Sequence, residues 1–395
     1  MSINSDTNFS IYLHWPFCLS KCPYCDFMSI PIQKNEELFE SYGDLLLDDL
    51  KLSLAQSDFS AKNKINSIFF GGGTPSLMEE KTVSKILDFL YRNYKINDNI
   101  EISLEANPAT FDNEKMKNFY HAGINRISLG IQSFSDDNLR FLGRIYDSNQ
   151  AKEAAEIVAK IFNNFSFDFM YGYESQNIFS LKNDLKQAIH FGCKHISCYQ
   201  LTFEEGTLFF NKMLSGNIKK ISDIKSIRLY EAIEKYLRDY NIYRYEISNY
   251  SKKGFECHHN VLYWKYENYL GVGPSAHGRI RVGNQKHATE KIRDPFLWAQ
   301  AVRNNKNTYV IHERLTEIEQ LEEILIMGLR LVDGIYFNDI YKMISANVID
   351  RVISESKLQF LRENNLINYD REKICLTHIG LLKMDSVIEF LCYNS

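Results

Sequence analysis

Short apolar runs rich in β-branched and aromatic residues alternate with longer segments of helical periodicity through the first half of the chain. Residues 11–14, 65–70, 100–104, 126–131, 165–170 and 195–199 each read as a short buried strand. Between them, residues 36–54, 80–94, 113–121, 149–162 and 178–191 carry apolar positions three and four apart, the spacing of a helix with one buried face. Strand and helix alternating in this way predict parallel strands joined by right-handed crossovers, hence an α/β barrel or an open sheet.

Past residue 223 the pattern loosens. A helix over 226–239 and a strand over 243–247 lead into 255–278 (FECHHNVLYWKYENYLGVGPSAHG), whose glycines, aromatics and histidines read as a loop facing a site. From about residue 312 the pattern predicts helices over 317–331, 337–345 and 348–364, then strands at 366–369 and 374–376. Helices followed by a small hairpin suggest a winged-helix-like module, so the expected domains are 1–310 and 311–395.

Composition narrows the class. The 46 Lys and Arg against 50 Asp and Glu leave a net charge of −4, which argues against nucleic acid as a partner. Residues 1–9 lack a basic start and an apolar stretch, and no run of about 18 apolar residues occurs. A cytoplasmic chain is expected. No basic amphipathic helix stands out, so membrane contact is expected only transiently, through a partner.

Of the eight cysteines, Cys193, Cys198, Cys257, Cys375 and Cys392 are scattered, whereas Cys18, Cys22 and Cys25 crowd into HWPFCLSKCPYCDF. In a chain of this length they read as ligands or buried thiols rather than disulfides. A structural zinc site wants four closed ligands, to which His14, Cys257, His258 or His259 could contribute. Three thiolates without a fourth suit a 4Fe-4S cluster with one iron left open. Phe17, Tyr24 and Phe27 are placed to shield such a cluster from water.

The second strand runs into Gly71-Gly72-Gly73-Thr74-Pro75, where glycines allow a ligand close to the backbone. Later strands carry Glu105 and Asn107, Gln132 and Ser133, and Asp168 near their ends, where α/β barrels place chemistry. Asp168 lies inside an apolar run, and a buried carboxylate needs hydrogen-bond partners, for which ribose hydroxyls would serve. Arg144 reads equally as a cofactor contact or a solvated charge.

The ordered set HWPFCLSKCPYCDF, FFGGGTPS, EANP, GINRISLGIQSF, DFMYG, CHHNVLYW and GVGPSAHG resembles the heme-chaperone branch (HemW) of the radical S-adenosylmethionine (SAM) family, over about residues 11–330. The resemblance implies an incomplete (β/α)6 barrel with a C-terminal helical, winged-helix-like HemN-type domain. It implies a 4Fe-4S cluster on Cys18, Cys22 and Cys25, and SAM held by Tyr12, Tyr24, Gly72, Gly73, Thr74, Glu105, Gln132, Arg144 and Asp168. It also implies heme, with His259 of the HNxxYW pattern as ligand and His258 as rival, delivered to respiratory heme-protein acceptors, with an electron donor and a homodimer as further partners.

Two other readings share these motifs. One is oxygen-independent coproporphyrinogen III oxidase, which decarboxylates propionates through a 5′-deoxyadenosyl radical. The other is a heme-binding protein that keeps the cluster without radical chemistry. The oxidase typically has a further cysteine where this chain has Phe27, and an N-terminal extension not found here. Two departures from the family pattern are Tyr171-Gly172-Tyr173-Glu174-Ser175-Gln176 in place of YGLPGQ, beside Asp168, and no histidine shortly after Arg144.

Overall fold

The computed structural model describes residues 8–283 and 285–393. Residues 1–7, part of the stretch that argues against an export signal, lie outside the described residues. The chain opens with β1 (Phe9–Trp15), α1 (Glu36–Ala55), β2 (Lys64–Gly72), α2 (Glu80–Asn93), β3 (Lys95–Ala106), α3 (Asn113–Ala122), β4 (Arg126–Gln132), α4 (Ser148–Ile161), β5 (Asn164–Tyr171), α5 (Ile178–His190) and β6 (His195–Gln200). Each strand from β1 to β6 pairs in parallel with the next, so the helices are crossovers packed on the outside. Apolar side chains such as Ile68, Phe70, Ile102, Leu104, Ile127, Leu129, Phe167 and Ile196 build the main core.

The other face is not apolar. Positions alternating with that core are Glu101, Ser103 and Glu105 on β3, Arg126 and Ser128 on β4, Ser166 and Asp168 on β5, and His195 and Ser197 on β6. Strands covered on both sides are usually near-continuous apolar runs. Here a period of two survives because the inner face lines a cavity.

The sheet continues past both ends of this parallel run. After α6 (Asp223–Arg238), β7 (Tyr243–Arg244) and β8 (Asn249–Ser251) add an antiparallel edge beside β6. The segment expected as a loop is instead α7 (His258–Trp264), followed by β9 (Asn268–Val272) and the start of β10 (His277–Val282). β9 pairs in parallel with β1, so this segment builds the sheet rather than merely facing it. Then come β11 (Gln285–Lys291), α8 (Pro295–Arg303) and β12 (Tyr309–Arg314). The 12-stranded order is β12-β11-β10-β9-β1-β2-β3-β4-β5-β6-β8-β7, an incomplete barrel whose end strands do not pair. β12 runs past the 310/311 boundary and carries the sheet to Arg314.

Beyond it a second apolar cluster gathers Leu321, Leu325, Ile340, Ile349, Leu358 and Ile374. It holds α9 (Glu317–Gly328), α10 (Phe337–Tyr341), α11 (Ala346–Val352), α12 (Glu355–Glu363) and a small three-stranded sheet. The single helix expected over 348–364 is two, because Ile353 leaves helical geometry and Ser354 caps α12 by accepting the Lys357 N–H. This unit is fastened to the sheet by Glu323, which accepts from Arg279 Nε and Nη2 and from the Tyr266 hydroxyl. Among the described residues no helix is long and apolar enough to cross a membrane.

Candidate functional site

The C-terminal ends of the parallel strands open on a cavity of about 510 Å³. Cys18, Cys22, Cys25, Tyr24, Gly72, Gly73, Thr74, Glu105, Gln132, Arg144 and Asp168 all line it. Segments far apart in sequence converge there because each is the exit of a parallel strand. Tyr12 and His259 do not line it. Tyr12 sits one layer behind, its ring against Phe69 and its hydroxyl 3.0 Å from His14 Nδ1.

The three cysteines are free thiols. Cys18 ends a two-residue strand pairing Phe17–Cys18 with Ile30–Pro31, and the Cys25 N–H donates to the Cys22 carbonyl, closing a turn between the other two. Burial pushes the thiols of Cys18 and Cys25 up, and neighbouring cysteines add to it. A positive iron site would offset that penalty. Among the described residues no three His, Cys, Asp or Glu side chains form a group able to hold a single metal ion. In a cubane, each cysteine binds a different iron. The aromatic shield is only partial: Phe17 turns into the core and Tyr24 is half-buried, whereas Phe27 is 64% exposed.

Arg144 is not a solvated charge. Its Nη1 donates to Cys22 Sγ at 3.0 Å and to the Tyr24 hydroxyl at 3.3 Å, while Nε donates to Tyr146. The glycine turn is dictated by packing: a Cβ on Gly73 would fall 2.6 Å from the Phe17 carbonyl, and Gly72 has φ +117. The Gly72 N–H donates to Glu105 Oε2 at 2.9 Å. Burial, with Asp168 nearby, raises the Glu105 carboxyl to about 7. Gln132 ends β4 at φ 62, a left-handed conformation that turns the chain at the rim.

Asp168 departs from its expected chemistry. Its carboxylate accepts from the chain's own Ser128, Ser197 and Ser166 at 2.8, 2.6 and 3.4 Å. Burial raises its pKa and the serine hydroxyls oppose that. In the altered turn beside it, Gln176 Oε1 accepts the Gly172 N–H.

His259 also departs from expectation. It is 1% exposed and stacked on Phe69 at 5.0 Å. Nδ1 lies 2.7 Å from Ser67 Oγ and Nε2 2.8 Å from the Tyr263 hydroxyl, so neither nitrogen is free to ligate iron. Because Ser67 donates to Ser10, Nδ1 is assigned as donor and Nε2 as acceptor. Burial and the Arg126 charge lower the imidazole to about 3. His258, in contrast, is exposed.

Sequence reasoning missed Arg126, His195, Ser197 and Asn249, which line the lower cavity. The signal lies in the alternation of polar with apolar residues within RISLGIQ and HISCYQ.

Comparison with known proteins follows the same outline. The radical SAM superfamily model matches residues 12–188, and the HemN C-terminal domain model matches 315–382. The heme chaperone HemW of Haemophilus influenzae is 33% identical over 395 residues, 96% of this chain and 97% of that protein. That of Bacillus subtilis is 32% identical over 382 residues, 94% and 96%. The chain belongs to the HemW family. Another relative, the mitochondrial radical S-adenosyl methionine domain-containing protein 1 of Danio rerio, is 31% identical over 386 residues, 96% of this chain and 86% of that protein. The fold matches coproporphyrinogen III oxidase (HemN) of Escherichia coli with a TM-score of 0.81 at 18% identity, covering 99% and 91% of the two chains. Membership of the HemW family brings with it the radical SAM cofactors, a 4Fe-4S cluster and SAM.

Proposed function

We propose that this chain is a heme chaperone that binds heme beside a cluster-and-SAM site and hands it to respiratory heme proteins. The observation that supports this most directly is the convergence of eleven residues, named from motifs of the heme-chaperone branch, on one cavity. The cavity lies within the size range of cofactor sites. Cys18, Cys22 and Cys25 would hold the cluster. Gly72, Gly73 and Thr74 would border the methionyl end of SAM, and Glu105, a carboxylate in a poorly solvated place, would take its amino group. Arg144 and Gln132 would flank it at the rim, Tyr24 beside Arg144 and Tyr12 behind Phe69. Asp168, fixed by three serines, would present its remaining acceptor capacity to the ribose.

When bound and reduced, such a cofactor pair supplies a 5′-deoxyadenosyl radical. This chain's contribution is to orient the pair at the strand ends and keep water from it. Heme ligation on α7 falls to His258, since His259 is committed to the core. The cofactor-bearing unit would end at Arg314 and the HemN-type unit would follow it. A cytoplasmic location, an external electron donor and a homodimer complete the proposal.

The test uses cluster-reconstituted protein, reduced with SAM present, assayed in parallel for 5′-deoxyadenosine, protoporphyrinogen and heme binding. Saturable heme binding without protoporphyrinogen is expected. Formation of protoporphyrinogen, or failure of the wild type to bind heme, overturns the chaperone reading.

A further inference from the structure

The lower cavity holds a cation whose Nε–H has no acceptor. Arg126 is 2% exposed and lines the cavity, and its ion pair with Glu101 is long, 3.9 Å from Nε. Its buried Nε has no hydrogen-bond partner among the described residues. Glu101 does not satisfy it, because that carboxylate is engaged elsewhere: it accepts the His258 and His259 N–H groups at 3.1 and 3.2 Å and the Cys257 thiol at 3.5 Å. A buried Nε–H left without an acceptor is costly, since it has lost water and gained no partner.

Two more polar groups of this cavity are orphaned. His195 keeps Nε2 on the Tyr245 hydroxyl but leaves Nδ1 unpartnered. Asn249 gives its amide N–H to Glu246 and leaves Oδ1 unpartnered. Both are buried and both line the same cavity. Arg126 begins β4, and Ser128, two residues on and on the same face, bonds Asp168, so the guanidinium lies one layer below the carboxylate assigned to the ribose. None of the three is among the residues assigned to SAM, so that assignment leaves Arg126 Nε, His195 Nδ1 and Asn249 Oδ1 unsatisfied.

We infer a second ligand site at the floor of the barrel, in which Arg126 binds the carboxylate of a small hydroxy acid while His195 and Asn249 meet its hydroxyl. Planar, forked donors suit a carboxylate, and the imidazole and amide oxygen suit a neighbouring O–H. The site is independent of the heme reading, for it uses neither α7 histidine side chain.

The test is ligand-observed NMR on the cluster-loaded full chain with two probes of one shape, glycolate and glycolamide. The wild type is expected to hold glycolate about tenfold more tightly than the amide, the worth of one charge-assisted contact. Arg126→Gln is expected to abolish that preference. His195→Gln, whose amide can keep the bond to Tyr245, is expected to weaken glycolate while retaining the preference for acid over amide. Equal binding of the two probes by wild type, binding of neither, or an undiminished preference in Arg126→Gln overturns the proposal. Excess SAM is expected to leave glycolate in place, and displacement would overturn the separation of the two sites. The wild-type comparison of acid with amide stands even if Arg126→Gln fails to fold.

Discussion

Arg144 Nη1 donates to Cys22 Sγ across 3.0 Å, joining the loop after β4 to the cysteine turn that follows β1. The guanidinium is held from behind by Tyr146, whose own hydroxyl donates to the carbonyls of Gly130 and Ile131. A guanidinium N–H donated to this sulfur fixes the side chain's position at the turn that would hold iron. Arg144→Met is therefore expected to make the cluster labile, with a loss of about 1.5–3 kcal/mol at this contact. Iron release to a chelator, followed anaerobically, should be at least tenfold faster than in wild type.

Replacing a cluster ligand is a harsher change. Cys18→Ala, Cys22→Ala and Cys25→Ala should each abolish the iron-sulfur absorbance after reconstitution while leaving far-ultraviolet circular dichroism unchanged, because none of the three sulfurs anchors the main core. Cys193→Ala, whose thiol is buried beneath β5 and donates to the His195 carbonyl, should leave the absorbance intact.

Glu105 sets a pH dependence for the ligand-free chain. Its carboxyl is raised from 4.5 to about 7 in the folded state, so folding favours its protonated form. That contribution is complete below pH 4.5 and lost as pH rises through 7, with a span of about 3 kcal/mol for a shift of this size. Urea unfolding at a series of pH values should show wild type weakening over that window relative to Glu105→Gln. Parallel curves for the two proteins would contradict the assignment.

The two histidines of α7 should separate cleanly. His259→Ala strands the partners Ser67 and Tyr263 inside the protein and is expected to cost about 2–4 kcal/mol in urea unfolding. His258→Ala removes an exposed ring and should leave stability within about 0.5 kcal/mol of wild type while lowering heme affinity, measured by Soret titration.

A forked contact helps to join the second unit to the sheet, beside the Val332 N–H donated to the Tyr245 carbonyl and Arg330 over the Trp264 ring. Glu323→Ala removes the acceptor for both Arg279 and Tyr266, and a loss of about 2–3 kcal/mol is expected. Limited proteolysis should then cut faster near residues 314–317.

Most of the parallel sheet was legible because each strand from β1 to β5 is apolar on its outer face and followed by a helix of clear periodicity. The cysteine turn and the glycine turn were legible because few residue types can fill them. What escaped has physical reasons. Residues 255–278 are dense in glycine and aromatics, local signals of a loop, but β9 acquires its strand from pairing with β1, some 260 residues away. The two shorter serine contacts of Asp168 come from β4 and β6, and only the register brings them beside it, so a carboxylate in an apolar run reads as one that needs a ligand. His259 carried a motif whose visible chemistry suited iron, while the contacts that consume both nitrogens come from β2 and from one helical turn onward.

The position of α7 also bears on the release of a deep ligand. Cys257, the first residue before it, lines the cavity floor, and its opening N–H groups hold Glu101 there. Exposed lining residues such as Lys21, Phe27, Tyr199 and Gln200 all belong to the opposite end, where the strands finish. The lining residues that solvent reaches thus sit at the end opposite Cys257 and Arg126. With SAM across the strand ends, a ligand on the floor near Arg126 is expected to leave more slowly, the shallower ligand covering the deeper one.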